Sequence, residues 1–162
     1  MGNRANIVFT DGECHSATVY LHWNGGPESV YAFLDELKRR VGGRFIDTNY
    51  NPARFAQVVG DFIDAGNFHA AGDLGLSIGI MPAPKDLTLE GLQGVPTDNS
   101  DNGFYIVHKD RVDRCYGYPL ALIDNETARK EEKEVRESKD FKEWAKWFLD
   151  FEKRAYPERT AA

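Results

Sequence analysis

Apolar positions change rhythm along this chain. Ile7-Val8-Phe9-Thr10 and Ala17-Thr18-Val19-Tyr20-Leu21-His22 are short runs rich in β-forming residues. The turn dipeptide Asp11-Gly12 and a loop around Glu13–Ser16 separate them, which predicts a hairpin. The rhythm then lengthens. Val30, Leu34, Leu37 and Val41 fall at i, i+4, i+7 and i+11, and Phe33 widens the stripe. Gly25-Gly26 precede Pro27, which suits the first helical position because its missing N–H would have no partner there. Glu28 sits at the positive end of the helix dipole, and Lys38, Arg39 and Arg40 at the negative end. Gly42-Gly43 supply a stop.

A second helix follows, with Asn51 as cap, Pro52 at the start and Phe55, Val58, Val59, Phe62 and Ile63 as its apolar face; Gly66 ends it. Leu76 to Met81 reads as a buried strand halted by Pro82 and Pro84, and Leu87-Thr88-Leu89 as a short strand. Asp98 to Gly103 is a turn by composition. Phe104 to His108 is a strand, with Val112 to Tyr118 as its partner across Lys109-Asp110. From Asn125 to Glu137 nearly every residue is charged, which marks a solvated helix face or a linker. From Ser138, a cap, the pattern changes: Phe141, Trp144, Trp147, Phe148 and Phe151 share one helical stripe.

The order is ββ, αα, further strands, then α, with hairpins rather than βαβ units. It predicts an α+β fold: a mostly antiparallel sheet with two to three helices packed on it and a long C-terminal helix. The 162 residues suit a single domain, with residues 1–123 as the α+β core and 124–156 as the charged, then aromatic, C-terminal helix.

Charge narrows the function. The net charge is −6, with each half of the chain at −3. That argues against direct nucleic-acid binding, which needs clustered Lys and Arg. No apolar run approaches the roughly 20 residues of a membrane span. The N-terminus lacks the apolar stretch of a signal peptide, and Asn6 stands where a myristoylation signal has Ser or Thr. The chain therefore reads as cytoplasmic, and Cys14 and Cys115 as free thiols.

Candidate chemistry is sparse. The Gly-rich turn before Pro27 has neither a P-loop lysine nor a G-x-G-x-x-G pattern, and it reads as a tight turn with Gly25 and Gly26 at positive φ. His15, His22, His69 and His108 lack metal-ligand spacing, so no metal and no cofactor is expected, although spacing does not address a site assembled in space, such as His22 with His108. Asp98-x-Ser100-x-Asn102-Gly103 begins like a calcium loop but has Lys109 at the twelfth position, where a bidentate Glu belongs. No nucleophile elbow is present. The weak catalytic candidates are His22, as acid or base, with Asp11 or His15 beside it; Glu13 and Asp73 are further loop carboxylates.

Tyr20 to Leu37, Y-L-H-W-N-G-G-P-E-S-V-Y-A-F-L-D-E-L, resembles a segment of small proteins from Gram-negative bacteria, their phages and plasmids, to which no activity is assigned. With the opening stretch from Asn6-Ile7-Val8-Phe9 to Val19, which fits the same pattern, the resemblance covers about the first quarter of the chain and transfers no catalytic residue. It implies the setting of mobile elements, whose accessory proteins often block host defence.

These readings lead to a non-enzymatic protein-binding accessory protein, an inhibitor of a host defence or nucleic-acid-processing complex, whose partner is a basic nucleic-acid-binding subunit. Trp144 and Trp147 are the expected anchors, with Glu131, Glu132 and Glu134 as steering charge. The stripe they belong to serves equally as the last layer of the core. The alternatives are a small hydrolase-like enzyme with its site at the N-terminal hairpin and the Trp23–Gly26 turn, and a homodimer that buries the stripe.

Overall fold

The computed structural model describes residues 3–64 and 78–160. They form a six-stranded mixed sheet of β1 (Ala5–Phe9), β2 (Thr18–Leu21), β3 (Ile78–Met81), β4 (Phe104–Val107), β5 (Val112–Tyr116) and β6 (Ala121–Leu122). Its order is β3-β2-β1-β4-β5-β6. Neighbouring strands are antiparallel except β1 and β4, which run parallel from Asn6↔Phe104 to Phe9↔Val107. The fold is α+β, as expected, with one parallel pair at its centre.

Strand alternation sends side chains to two different cores. Ala5, Ile7, Phe9, Val19, Leu21, Tyr105, Val107 and Val112 face the long helices. Val8, Phe104, Ile106 and Cys115 face a thinner cover built from the segment after β3 and from Leu120. That cover contains α3 (Leu89–Gln93), where the pattern Leu87-Thr88-Leu89 had suggested a strand. Thr88 decides the outcome: its Oγ1 accepts the Gly91 N–H at 3.1 Å and caps a helical turn.

The helical layer comprises α1 (Pro27–Val41), α2 (Asn51–Asp64), α4 (Asn125–Glu137), α5 (Lys139–Ala155) and the short α6 (Pro157–Thr160). A 3₁₀ turn, Gly42–Ile46, follows α1, which ends at Gly42 with φ 55°. The expected apolar faces are correct: Val30, Phe33, Leu34, Leu37, Phe55, Val58, Val59, Phe62 and Ile63 are all buried. Asn51 departs from expectation. It begins α2, but its amide reaches back to donate to Phe45 O at 2.7 Å. Gly25 and Gly26 also differ, since the positive φ falls on Asn24 (60°). Gly25 is required by proximity, because a Cβ there would lie 2.5 Å from Asn3 O. β3 is an edge strand with Ile80 exposed, not a buried one. The expected stop at Gly66, together with His69, Asp73, Leu76 and Ser77, lies outside the described residues.

The C-terminal segment is two helices. Ser138 breaks it with extended backbone, and its Oγ accepts the Phe141 N–H that opens α5. Phe148 inserts between α1 and α2, with its ring 5.8 Å from both Phe33 and Phe62. Trp144 and Trp147 stand edge-on to Phe62 at 5.0 and 5.2 Å, and Trp147 stacks on Phe151. Phe141 and Phe148 are buried, while the two indoles are half-buried.

A second tie crosses the same helices. Glu36 is fully buried and accepts from Arg39 at 2.8 Å and Arg40 at 3.0 Å; Arg40 also reaches Asp61 on α2, and Arg39 reaches Glu152 on α5. Burial, joined by the Glu152 carboxyl and opposed by the arginines, pushes Glu36 up to about 7.

Phe148→Ala should cost about 3–5 kcal/mol in urea unfolding, as expected when a buried aromatic leaves a cavity. Trp147→Ala should cost about 1–3 kcal/mol, and an unchanged urea midpoint would show that the indole contributes nothing to the core. Glu36 sets a pH dependence. Because its native pKa lies above the unfolded value, the native state keeps a proton that the unfolded chain has released. Stability therefore falls as pH rises from about 4.5 to 7. His108, held low mainly by burial, works in the opposite sense below its ordinary value. The measure is thus the difference between wild type and Glu36→Gln. It should shift against wild type by roughly 3 kcal/mol across that window, and a pH-independent difference would contradict the account.

Candidate functional site

The sheet has two ends, and they divide the sequence-derived candidates. His22 follows β2 beside the start of β1, where its carbonyl accepts the Asn3 N–H. Its Nδ1 lies 3.0 Å from Tyr20 Oη, and its ring is edge-on to Trp23. Asp11 and His15 lie beyond the other end of β1. There Thr10 bridges to His15, with Thr10 Oγ1 and His15 Nδ1 2.9 Å apart. Asp11 folds its carboxylate onto the Glu13 and Cys14 N–H groups, which hold it below the usual carboxylate range. At about 3.3 Å per residue, Arg4 to Thr10 spans roughly 20 Å, so the hydrolase-like site that joins His22 to Asp11 or His15 is not assembled. His108 lies at the far end as well, 2.9 Å from Asp113, and does not meet His22. Both cysteines are free; burial raises the Cys115 thiol to about 11.

A cavity of about 350 Å³ opens where β1 and β4 end. Phe9, Phe45 and Val107 are its apolar lining, and Asp11 with the hairpin residues Lys109, Asp110 and Arg111 contributes its charges. Thr10 and His108 are engaged within the chain, with His15 and Asp113, whereas the buried Asn51 Oδ1 has no hydrogen-bond partner among the described residues.

The expected steering charges on α4 are mostly spoken for. Glu131 pairs with Arg114, and Glu132 with Arg136 at 3.1 Å, while Arg136 also grips Asp35 on α1. Glu134 is exposed. Residues 125–162 hold ten acidic and ten basic side chains and carry no net charge. Residues 78–103, which supply most of the second cover, hold four acidic and one basic, and so account for −3 of the −6.

That acidic segment ends in a loop held from two sides. Asn6, fully buried on β1, donates to Asp98 O at 3.0 Å and accepts from Thr97 Oγ1 at 2.7 Å. Arg114, 2% exposed, donates to Asn102 O at 2.8 Å and Phe104 O at 3.3 Å, and its guanidinium lies over the Tyr105 and Tyr116 rings. Gly103 has φ 60° and packs so closely that a Cβ would fall 2.1 Å from Cys115 O. Between this loop and the turn after β5 lies a groove of about 720 Å³. One wall is Gly117, Tyr118, Pro119 and Leu120; the other is Asp98, Asn99, Ser100 and Asp101. Tyr118 is fully exposed. Hydrogen bonds from the Ser100 hydroxyl and N–H keep Asp98 below the usual carboxylate range.

Sequence reasoning passed over this groove. Residues 98–103 read as a turn and Tyr118 as the end of a strand. Gly117 before Tyr118-Pro119 was the available signal, because that dipeptide places an aromatic ring on a turn. Among the described residues, no helix is long and apolar enough to cross a membrane. Comparison with protein-family models, curated proteins and solved structures finds no match for the chain.

Arg114→Met should cost about 3–5 kcal/mol in urea unfolding, since it breaks a buried ion pair and strips two carbonyls of their donors. Arg111→Met, which removes an exposed pair to Asp113, should cost under about 1 kcal/mol. Equal losses would contradict the anchoring role of Arg114.

Proposed function

We propose that the chain is a non-enzymatic protein-binding accessory protein whose partner presents a basic surface, such as a nucleic-acid-binding subunit. The segregation of charge carries this reading. The C-terminal helices are neutral, whereas residues 78–103 on the opposite face hold four acids against one base, half of the net charge, the other half lying in residues 1–77. An acidic face attracts a basic partner and speeds its encounter, while it repels nucleic-acid phosphates. An inhibitor of a host defence or nucleic-acid-processing complex, encoded on a mobile element, is a function of this class. The binding face is the loop side rather than Trp144 and Trp147, whose rings pack on Phe62.

Two multiple variants test the reading by affinity capture from a host lysate. One carries Asp86→Asn, Glu90→Gln, Asp98→Asn and Asp101→Asn; the other carries Glu126→Gln, Glu134→Gln and Glu137→Gln on α4. The partner held by wild type should be held equally by the helix variant and roughly tenfold less by the loop variant. Its capture should fall from about 0.1 M to 1 M salt, as the screening length shrinks from about 10 Å to 3 Å. A partner lost by the helix variant and kept by the loop variant would overturn the proposal.

A further inference from the structure

The groove between residues 98–101 and 117–120 has unequal walls. Tyr118, Pro119 and Leu120 offer an aromatic ring and apolar surface, and the facing loop offers carboxylates. Tyr118 is the most exposed large apolar side chain among the described residues. Tyrosines that stand free beside a cavity have the character of binding anchors, since they bring large area at small entropic cost. Asp101 Oδ2 accepts the Arg4 N–H at 2.9 Å, and among the described residues no group donates to its Oδ1.

The loop already holds one guanidinium. Arg4 Nη1 donates to Ser100 Oγ at 2.7 Å and lies 3.3 Å from Asp98 Oδ2. This arrangement shows the chemistry that the loop accepts. Building on the protein-binding reading above, we propose that the groove seats an arginine-bearing segment of the basic partner, with a guanidinium between the Tyr118 ring and the Asp101 carboxylate. Arginine fits better than lysine because a planar guanidinium stacks on an aromatic face while its edge donates to a carboxylate. Leu120 and Pro119 take the apolar stem of that side chain. A volume of about 720 Å³ admits the side chain with its neighbouring backbone.

The probe is a synthetic peptide, acetyl-Gly-Ser-Arg-Gly-Arg-Ser-Gly-amide, with its lysine and glutamate counterparts. Each is titrated into the isotope-labelled full chain at low salt, with amide shifts followed by NMR. Saturable shifts should cluster at residues 98–101 and 117–120. The arginine peptide should bind about threefold or more tighter than the lysine peptide, and the glutamate peptide should not bind. Tyr118→Ala and Asp101→Asn should each weaken the arginine peptide about threefold or more, with Glu134→Gln unchanged. Shifts that cluster instead near Asp11, Glu13, Asp86 and Glu90 would overturn the groove while leaving an acidic binding face in place. Equal binding of arginine and lysine, or no binding of either, overturns the proposal. Failure of the wider protein-binding reading is read separately, from lysate capture that ignores the loop charges.

Discussion

The buried guanidinium of Arg114 is the interaction on which the layout of this protein depends. Taking a charge out of water costs several kcal/mol, and here the cost is offset by Glu131, two backbone carbonyls and two tyrosine rings. The partners come from α4, from the loop before β4 and from β4 and β5. Glu131 brings α4 onto β5, and α4 directs the chain through Ser138 into α5. The carbonyls of Asn102 and Phe104 fix the end of the acidic loop at the point where β4 begins. One side chain therefore sets both the entry to the C-terminal helices and the floor beside the groove.

Charge density and surface charge are different properties in this molecule. The helices hold most of the charged residues but satisfy them in networks, with Glu36, Arg39, Arg40, Asp61 and Glu152 in one and Asp35, Glu132 and Arg136 in another. The aromatic stripe of α5 follows the same rule. It is rich in tryptophan because three helices converge on Phe62, and large rings fill that junction edge to face. The thin second cover has few basic residues with which to neutralise its acids. Half of the net negative charge therefore lies on that short cover, although the helices hold more charged residues.

Local signals in the sequence were reliable where a residue acts on its own neighbours. Pro27, the stripe from Val30 to Val41, the face of α2 and the cap at Ser138 all behave as their spacing indicates. Signals failed where distant residues compete. Thr88 caps a turn inside a pattern that alternates like a strand, and Asn51 prefers the Phe45 carbonyl to its own helix. The parallel pairing of β1 with β4 depends on residues almost a hundred positions apart. The groove was least legible, because Asn6, Arg114 and Gly103 act on it from three separate strands or their borders. Glu131 looked like free charge for the same reason: its partner lies 17 residues away on β5.

The central claim is that this chain meets a protein partner through the groove beside Tyr118. Photo-crosslinking in the native host tests it most directly, with a benzophenone amino acid placed at position 118 in one protein and at position 147 in another. One dominant protein adduct is expected from position 118, reduced about threefold or more when Asp101→Asn is added, and none of that adduct from position 147. The same adduct from position 147 alone would place recognition on the aromatic face of α5 and contradict the account.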